Sequence, residues 1–429
     1  MAKEGDKVKV FTKDKEYEGI LMPEADNSVI VKLKNGYNVG IIKKNVKKIE
    51  VIEKFIESKD KKEEVKHKKG LKKITILHTG GTIASKVDYR TGGVVSKFSP
   101  SELLDKFPEL REIANIDSKL ISQMFSEDMR FVHYKKMLKA IKEEINKGAD
   151  GIILTHGTDT ISYTAVALAL GLEGLNVPVI IVGAQRSSDR GSSDAGMNLI
   201  CAAKFIAKTD FAEVAICMHE NMSDENCLIL PACKTRKMHT SRRDAFKPIN
   251  VEPFARVNYK SSKVEFLRKD YVVREEGREL VVKDKFEEKV GFIKCHPNMI
   301  PAQFEFFKGY KGLVIEGTGL GQAPVGVPND DCKIHKKILD VIDKLTHAGC
   351  IVVMTSQCIY GRVQMHVYSN AIDLVNVGVI PGEDMFAETA FIKLAWVLGN
   401  YGDGEAAELM RNNLRGEISE RMEIQEEFI

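Results

Sequence analysis

The chain has 429 residues, 43% of them apolar, which is enough for two or three domain cores. Its net charge of +3 argues against indiscriminate nucleic-acid binding by the molecule as a whole, although local patches remain open to that use. No stretch reaches the roughly 20 uninterrupted apolar residues that span a bilayer, and Met1-Ala2-Lys3-Glu4-Gly5-Asp6 lacks the apolar centre of a signal peptide, so a cytoplasmic protein without membrane contact is expected.

Residues 5–50 read as a small all-β unit, with alternation at Val8 and Val10 and again at Val29, Val31 and Leu33. Asn35-Gly36, between Val29–Leu33 and Tyr37–Ile41, predicts a type I′ hairpin turn. Four or five short strands in so few residues predict a barrel of SH3 or Sm-like kind. Such a unit binds RNA or protein, or packs on its own chain, and its fold does not choose among these. Lys54 to Lys73 has too little apolar content for a core and reads as a linker or solvated helix whose lysines either tether or touch phosphates.

The main body starts at Ile74. The run Ile74-Thr75-Ile76-Leu77-His78 predicts a buried strand that stops at Thr79-Gly80-Gly81-Thr82-Ile83-Ala84. Lys86 to Phe98, polar and glycine-containing, reads as a mobile lid, and Ser99-Pro100-Ser101-Glu102 opens a helix with a capping box. A helix carrying Tyr134, Met137, Leu138, Ile141 and Ile145 on one face stops at Gly148. Next, Gly151-Ile152-Ile153-Leu154 repeats the plan of strand, hydroxyl-rich turn (Thr155-His156-Gly157-Thr158-Asp159-Thr160) and alanine-rich helix.

Strands at Val179–Val182 and Val214–Met218 continue the alternation and predict a largely parallel sheet with helices on both faces. A hairpin-like stretch, Tyr271–Val273 to Leu280–Val282, precedes a second α/β unit with strands near Phe292, Leu313–Ile315 and Ile351–Val353 and a helix containing Phe391, Leu394, Trp396 and Leu398. The expected organisation is therefore a barrel (1–53), a charged linker (54–73), a larger α/β domain (74–285) and a smaller one (286–429). The eight cysteines are scattered without a C-x-x-C pair, which predicts reduced structural thiols rather than a zinc site or disulfide framework.

A β-branched run that stops at glycines presents hydroxyls and backbone N–H groups at the carboxyl end of a strand, the edge where open α/β sheets bind ligands. Two such turns on one sheet can face a common cleft, with Thr82 as a nucleophile in the first and Thr158 beside the carboxylate of Asp159 in the second. A base is still needed. Lys237 can supply it if burial lowers its affinity for the proton and a carboxylate orients it. From the residues alone it stands little apart from Lys234, Arg236, Arg242 and Arg243, and that cluster reads first as a surface or phosphate-contacting patch.

Thr-Gly-Gly-Thr-Ile-Ala at 79–84 and Thr-His-Gly-Thr-Asp-Thr at 155–160, followed by Lys237, resemble the signature set of bacterial-type L-asparaginases, from about residue 74 to the C-terminus. The N-terminal barrel and the run Thr240-Ser241-Arg242-Arg243-Asp244-Ala245-Phe246 resemble, further, the D-subunit family of the archaeal glutamyl-tRNA(Gln) amidotransferase. The resemblance implies an asparaginase-like, two-domain parallel-sheet α/β body behind a small SH3/Sm-like β-barrel. It implies a glutaminase subunit that releases ammonia for converting Glu-tRNA(Gln) to Gln-tRNA(Gln).

Carried over from the family, Thr82 is the nucleophile, and Thr158, Asp159 and Lys237 form the group that activates water or assists attack. Ser126-Glu127-Asp128-Met129 resembles the family's Ser-Gln-Asp-Met stretch, so Ser126 and Glu127 hold the substrate's α-carboxylate and α-amino ends, with Glu127 a departure. Tyr89 matches the lid tyrosine at a shorter spacing, and Gly319-Leu320-Gly321-Gln322 loosely matches a binding turn of the second domain. The implied chain needs no metal or nucleotide of its own; ATP and Mg belong to a kinase and transferase partner, the E subunit of the amidotransferase. The implied assembly is two D and two E subunits, a homodimer of D flanked by E, with tRNA(Gln) met mainly through the partner and glutamine, or asparagine, as amide donor. A free-standing cytoplasmic L-asparaginase with an accessory barrel would share this chemistry. A non-catalytic RNA- or protein-binding module on the same scaffold predicts loss of a key residue, whereas Thr82, Thr158, Asp159 and Lys237 are all present.

Overall fold

The computed structural model describes residues 2–25, 27–34, 37–55, 67–80, 85–87, 94–96, 100–186 and 191–422. At the N-terminus, strands β1 (Lys7–Phe11), β2 (Glu16–Ala25), β3 (Ser28–Leu33), β4 (Asn38–Ile42) and β5 (Lys48–Glu53) form an antiparallel sheet in the order β4-β3-β2-β1-β5. Alternate residues Val8, Val10, Val29 and Val31, with Ile41, make its core. The β3–β4 hairpin is present, but its register differs from expectation. Lys32 faces Asn38, and Leu33 N–H donates to Tyr37 O at 2.8 Å, which leaves a longer loop than the two-residue type I′ turn. Asn35 and Gly36 themselves lie outside the described residues.

The end of the charged linker is fastened to the body rather than free. Asn115 Nδ2 donates to Lys68 O and Leu71 O, and Lys72 Nζ donates to Ile206 O and Thr209 O, which caps the helix Ala195–Lys208 with a cation at its negative end.

The body is built on β6 (Lys73–Gly80), a short ribbon β7 (Ser85–Val87) and β8 (Val94–Ser96), then β9 (Asn115–Met124), β10 (Gly151–Thr155), β11 (Leu172–Glu173), β12 (Val179–Val182), β13 (Val214–His219), β14 (Asn226–Pro231), β15 (Thr235–Lys237), β16 (Phe246–Pro248), β17 (Ala255–Asn258), β18 (Val264–Phe266) and β19 (Val281–Val282). Eight of these form one sheet in the order β18-β17-β14-β13-β12-β10-β6-β9. It is parallel from β9 to β13 and antiparallel from β13 to β18. The expectation of a largely parallel sheet missed this edge, because residues 220–225 between β13 and β14 are too few for a crossover helix and force a hairpin.

The β-branched runs are buried on both faces, as a parallel sheet covered by helices requires. Ile74 and Ile76 face the helix Ala195–Lys208, whereas Leu77 faces the core shared with the helices Phe131–Asn146 and Ile161–Gly171. The expected hairpin between 271–273 and 280–282 does not form. Residues 272–274 run antiparallel beside 210–212, and β19 pairs with β11, so each half covers a different edge of the body. The helix expected at Ser99 forms as Pro100–Lys106; Ser99 itself lies outside the described residues.

The second unit holds β20 (Val290–Lys294), β21 (Gly312–Gly317), β22 (Ile351–Ser356) and β23 (Ile380–Pro381), all parallel, in that order. The helix Ala387–Asn400 joins the two units. Leu394, Ala395, Trp396 and Val397 share one core with Val314, Val353, Leu168 and Ile181, and Trp396 Nε1 donates to Lys283 O at 3.0 Å. Among the described residues, no helix is long and apolar enough to cross a membrane.

Candidate active site

The two hydroxyl-rich turns are neighbours. Strands β6 and β10 pair in parallel with His78 opposite Thr155, so their carboxyl ends lie side by side, and Thr79 Oγ1 donates to Thr155 O at 2.9 Å. Gly80 ends β6 at φ +115°, and a Cβ there would sit 2.2 Å from Met124 O; only glycine lets the strand leave the sheet at this point. Thr82, two positions on, and Tyr89 lie outside the described residues.

The second turn is locked from beneath by a neutral histidine. His156 Nδ1–H donates to Gly157 O at 2.7 Å and its Nε2 accepts from the Thr164 hydroxyl at 2.8 Å, which fixes the tautomer and ties the turn to the helix Ile161–Gly171. Burial pushes the His156 pKa down to about 4. His78, whose Nδ1 is 3.0 Å from Thr155 Oγ1, is pushed down to about 4 by the same cause.

Ser126 and Glu127 are brought to this turn. They lie on the short 3-10 turn Ser126–Asp128 that follows β9, and Thr160 Oγ1 donates to Ser126 O at 2.7 Å. A Cβ on Gly157 would come within 2.8 Å of Ser126 Cβ, so the glycine is what admits Ser126. Ser126 is buried and Glu127 exposed.

Lys237 arrives from far along the chain. At the end of β15, its Nζ donates to Thr158 Oγ1 at 2.9 Å and to Asp159 Oδ1 at 2.7 Å. The Lys237 side chain is 15% exposed and that of Asp159 65%. A pair this exposed on one side adds little to stability. Its effect is to hold an amine against a hydroxyl.

In the basic run around Lys237 each cation has a carboxylate of its own. Lys234 is fully buried on Asp384, Arg236 sits 3.0 Å from Glu388, Arg242 forks onto Asp244, and Arg243 reaches Asp224 and Met222 O. Asp384 and Glu388 carried no signal in the sequence, since their partners are about 150 positions upstream. Tyr163 also borders this group; burial and then Glu388 raise its pKa to about 12. The turn at 319–322 closes by Thr318 N–H donating to Gln322 O at 2.9 Å, at the carboxyl end of β21.

Residues 73–271 match the family model "Asparaginase, N-terminal", residues 289–410 match "Glutaminase/Asparaginase C-terminal domain", and residues 2–52 match "GatD N-terminal domain". Curated proteins named as the D subunit of glutamyl-tRNA(Gln) amidotransferase are similar over nearly their whole length. That of Pyrococcus furiosus is 48% identical over 94% of this chain and 91% of its own, and that of Methanococcus maripaludis 43% identical over 98% and 99%. Among solved structures, the thermostable L-asparaginase from Thermococcus kodakarensis superposes with a TM-score of 0.71 at 28% identity, covering 81% of this chain and 100% of its own. L-asparaginase I from Vibrio cholerae gives 0.69 at 26% identity, covering 82% and 100%.

Proposed function

The chain belongs to the D-subunit family of glutamyl-tRNA(Gln) amidotransferases, and from that premise we propose that it is the amidohydrolase subunit releasing ammonia from glutamine for tRNA-dependent amidation. The observation that carries the chemical part is the contact of Lys237 Nζ with both Thr158 Oγ1 and Asp159, from 79 and 78 positions away.

In this reading the Thr82 hydroxyl attacks the side-chain carboxamide carbon of glutamine. The carbonyl π-bond opens to an oxyanion held by backbone N–H groups of the two turns, donors worth on the order of 3 kcal/mol each in such sites. The C–N bond then breaks, the proton given up by the Thr82 hydroxyl goes to the nitrogen, which leaves as ammonia, and an ester to Thr82 remains. Thr158, with Lys237 and Asp159 relaying the proton, activates a water that attacks the ester; the C–O bond to Thr82 breaks, the relayed proton returns to the Thr82 oxygen, and glutamate leaves. Ser126 and Glu127, on the turn docked beside Thr158, hold the two α-substituents of the amino acid, and Tyr89 closes over it.

No metal or nucleotide enters these steps. Activation of glutamyl-tRNA by ATP and Mg, and most contact with tRNA(Gln), fall to the partner E subunit, in an assembly of two D and two E chains in the cytoplasm. The test is ammonia release from glutamine with and without the partner and Glu-tRNA(Gln). Stimulation by both supports the proposal; strong asparagine hydrolysis indifferent to both supports a free-standing L-asparaginase, the reading favoured by the superposition on those enzymes alone.

A further inference from the structure

The strand that presents Lys237 lies outside both large sheets. β15 is three residues long and pairs with β16 in a two-stranded ribbon. Ribbons of that size are marginal alone. The first unit holds it through Thr235 Oγ1 donating to Pro231 O at 2.6 Å and through buried Phe246; from the second unit it is held by the segment that leads into the helix Ala387–Asn400. Lys234, three residues before Lys237 and fully buried, donates to Asp384 Oδ2 at 2.5 Å and to Asp384 O at 3.0 Å. Asp384 is itself 3% exposed, and its Oδ1 accepts from Ser419 N at 3.0 Å. The Thr389 hydroxyl donates to Cys233 O at 3.1 Å, and Arg236 Nη2 is 3.0 Å from Glu388 Oε1. Residues 233, 234 and 236 are thus each tied to the stretch 384–389, across the boundary between the two units.

A buried ion pair is a poor way to gain stability, because removing both charges from water costs about as much as their attraction returns. It is a good way to fix one geometry, because any slip of the ribbon leaves a charge buried and unpaired. We propose that Asp384, acting through Lys234, is a positioning residue for Lys237: the pair sets the ribbon so that Lys237 Nζ reaches Thr158 and Asp159 together. The second unit thereby completes a group whose other members all come from the first. The inference rests on the amidohydrolase reading above, in which Lys237 takes part in the chemistry.

The test is a double-mutant cycle on ammonia release from glutamine, measured as kcat and KM on the full-length chain with its partner subunit, alongside the melting temperature. Asp384→Asn is expected to lower kcat by about 100-fold, the scale on which small misplacements act, with KM changed less than about twofold. In a Lys237→Met background the same substitution is expected to lower kcat no further, because its route to the chemistry is already cut. Lys234→Arg, which keeps the pair, is expected to retain most of kcat. An equal fall in both backgrounds, or a lower melting temperature with kcat intact, overturns the inference. If Asp384→Asn does not fold, Lys234→Met with Asp384→Leu removes both charges at once; kcat at the wild-type value in that protein overturns the inference as well. A Lys237→Met enzyme as active as wild type overturns the underlying role of Lys237 instead, and the two failures are thereby separable.

Discussion

Thr160 Oγ1 donates to Ser126 O at 2.7 Å and so joins the turn that carries Thr158 to the turn that carries Glu127. The contact joins a group proposed for catalysis to a group proposed for substrate recognition. Replacing Thr160 by Val removes the donor and keeps the shape. The expected result is a rise in KM for glutamine greater than the fall in kcat, with a stability loss of about 1 kcal/mol, the size of one net hydrogen bond. Steady-state kinetics and urea denaturation check both.

Gly157→Ala tests the same junction from its steric side. The added Cβ would lie 2.8 Å from Ser126 Cβ and 2.9 Å from its Oγ, inside contact distance, and neither neighbour is the end of a long flexible chain. Displacement of Ser126 is expected to cost about 1–3 kcal/mol of stability and to weaken glutamine binding. An alanine enzyme with wild-type KM and stability would show that the turn has slack the packing does not suggest.

Two buried histidines give the fold an acid limit. His78 and His156 are held neutral with pKa near 4, against 6.5 for the free side chain. Between these values the unfolded chain binds more protons than the native one, so stability is full above about pH 6.5 and falls as pH drops toward 4. The loss is on the order of 3 kcal/mol per histidine at the lower end. Denaturant midpoints from about pH 7.5 to 4.5 should show it, and His156→Gln should flatten the curve. An unchanged slope in that variant contradicts the assignment.

The Lys393–Glu417 pair is wholly buried at 2.7 Å, with Lys393 Nζ also donating to Asn412 O at 2.6 Å. Glu417→Gln leaves a buried ammonium without its counter-charge and is expected to cost about 3–5 kcal/mol, whereas Lys393→Met with Glu417→Gln, which removes both charges and keeps an amide oxygen as acceptor for the N–H groups of Leu414 and Arg415, should cost less. Thermal melts of the three proteins decide it.

How much of this was legible in the sequence follows from how local each feature is. The runs Ile74–Leu77 and Gly151–Leu154 announced buried strands ending at glycine turns, because β-branched residues and Gly act over a few positions. The antiparallel edge from β13 to β18 was not announced, since the length of one connection decides it. The pairing of 272–274 with 210–212 was equally hidden, for it depends on which body edge lies open. At the candidate site, Lys237 could be told from Lys234, Arg236, Arg242 and Arg243 only by resemblance. The structure separates them by partner: its Nζ alone among the five reaches Thr158 and Asp159. Ser126 was legible through its motif, but the reason it can approach, a glycine at 157, required the packing.

Under the proposed function, amide nitrogen released at the Thr82 and Thr158 turns ends on tRNA-bound glutamine. A labelling experiment addresses this outright: glutamine labelled at its amide nitrogen is supplied to the chain with its partner subunit, ATP, Mg and Glu-tRNA(Gln), and the label is followed. Label in the glutaminyl group on the tRNA, lost when Thr82→Ala or Lys237→Met replaces the wild type, is the predicted result. Asparagine hydrolysed freely, with no label reaching the tRNA and no response to the partner, would contradict it.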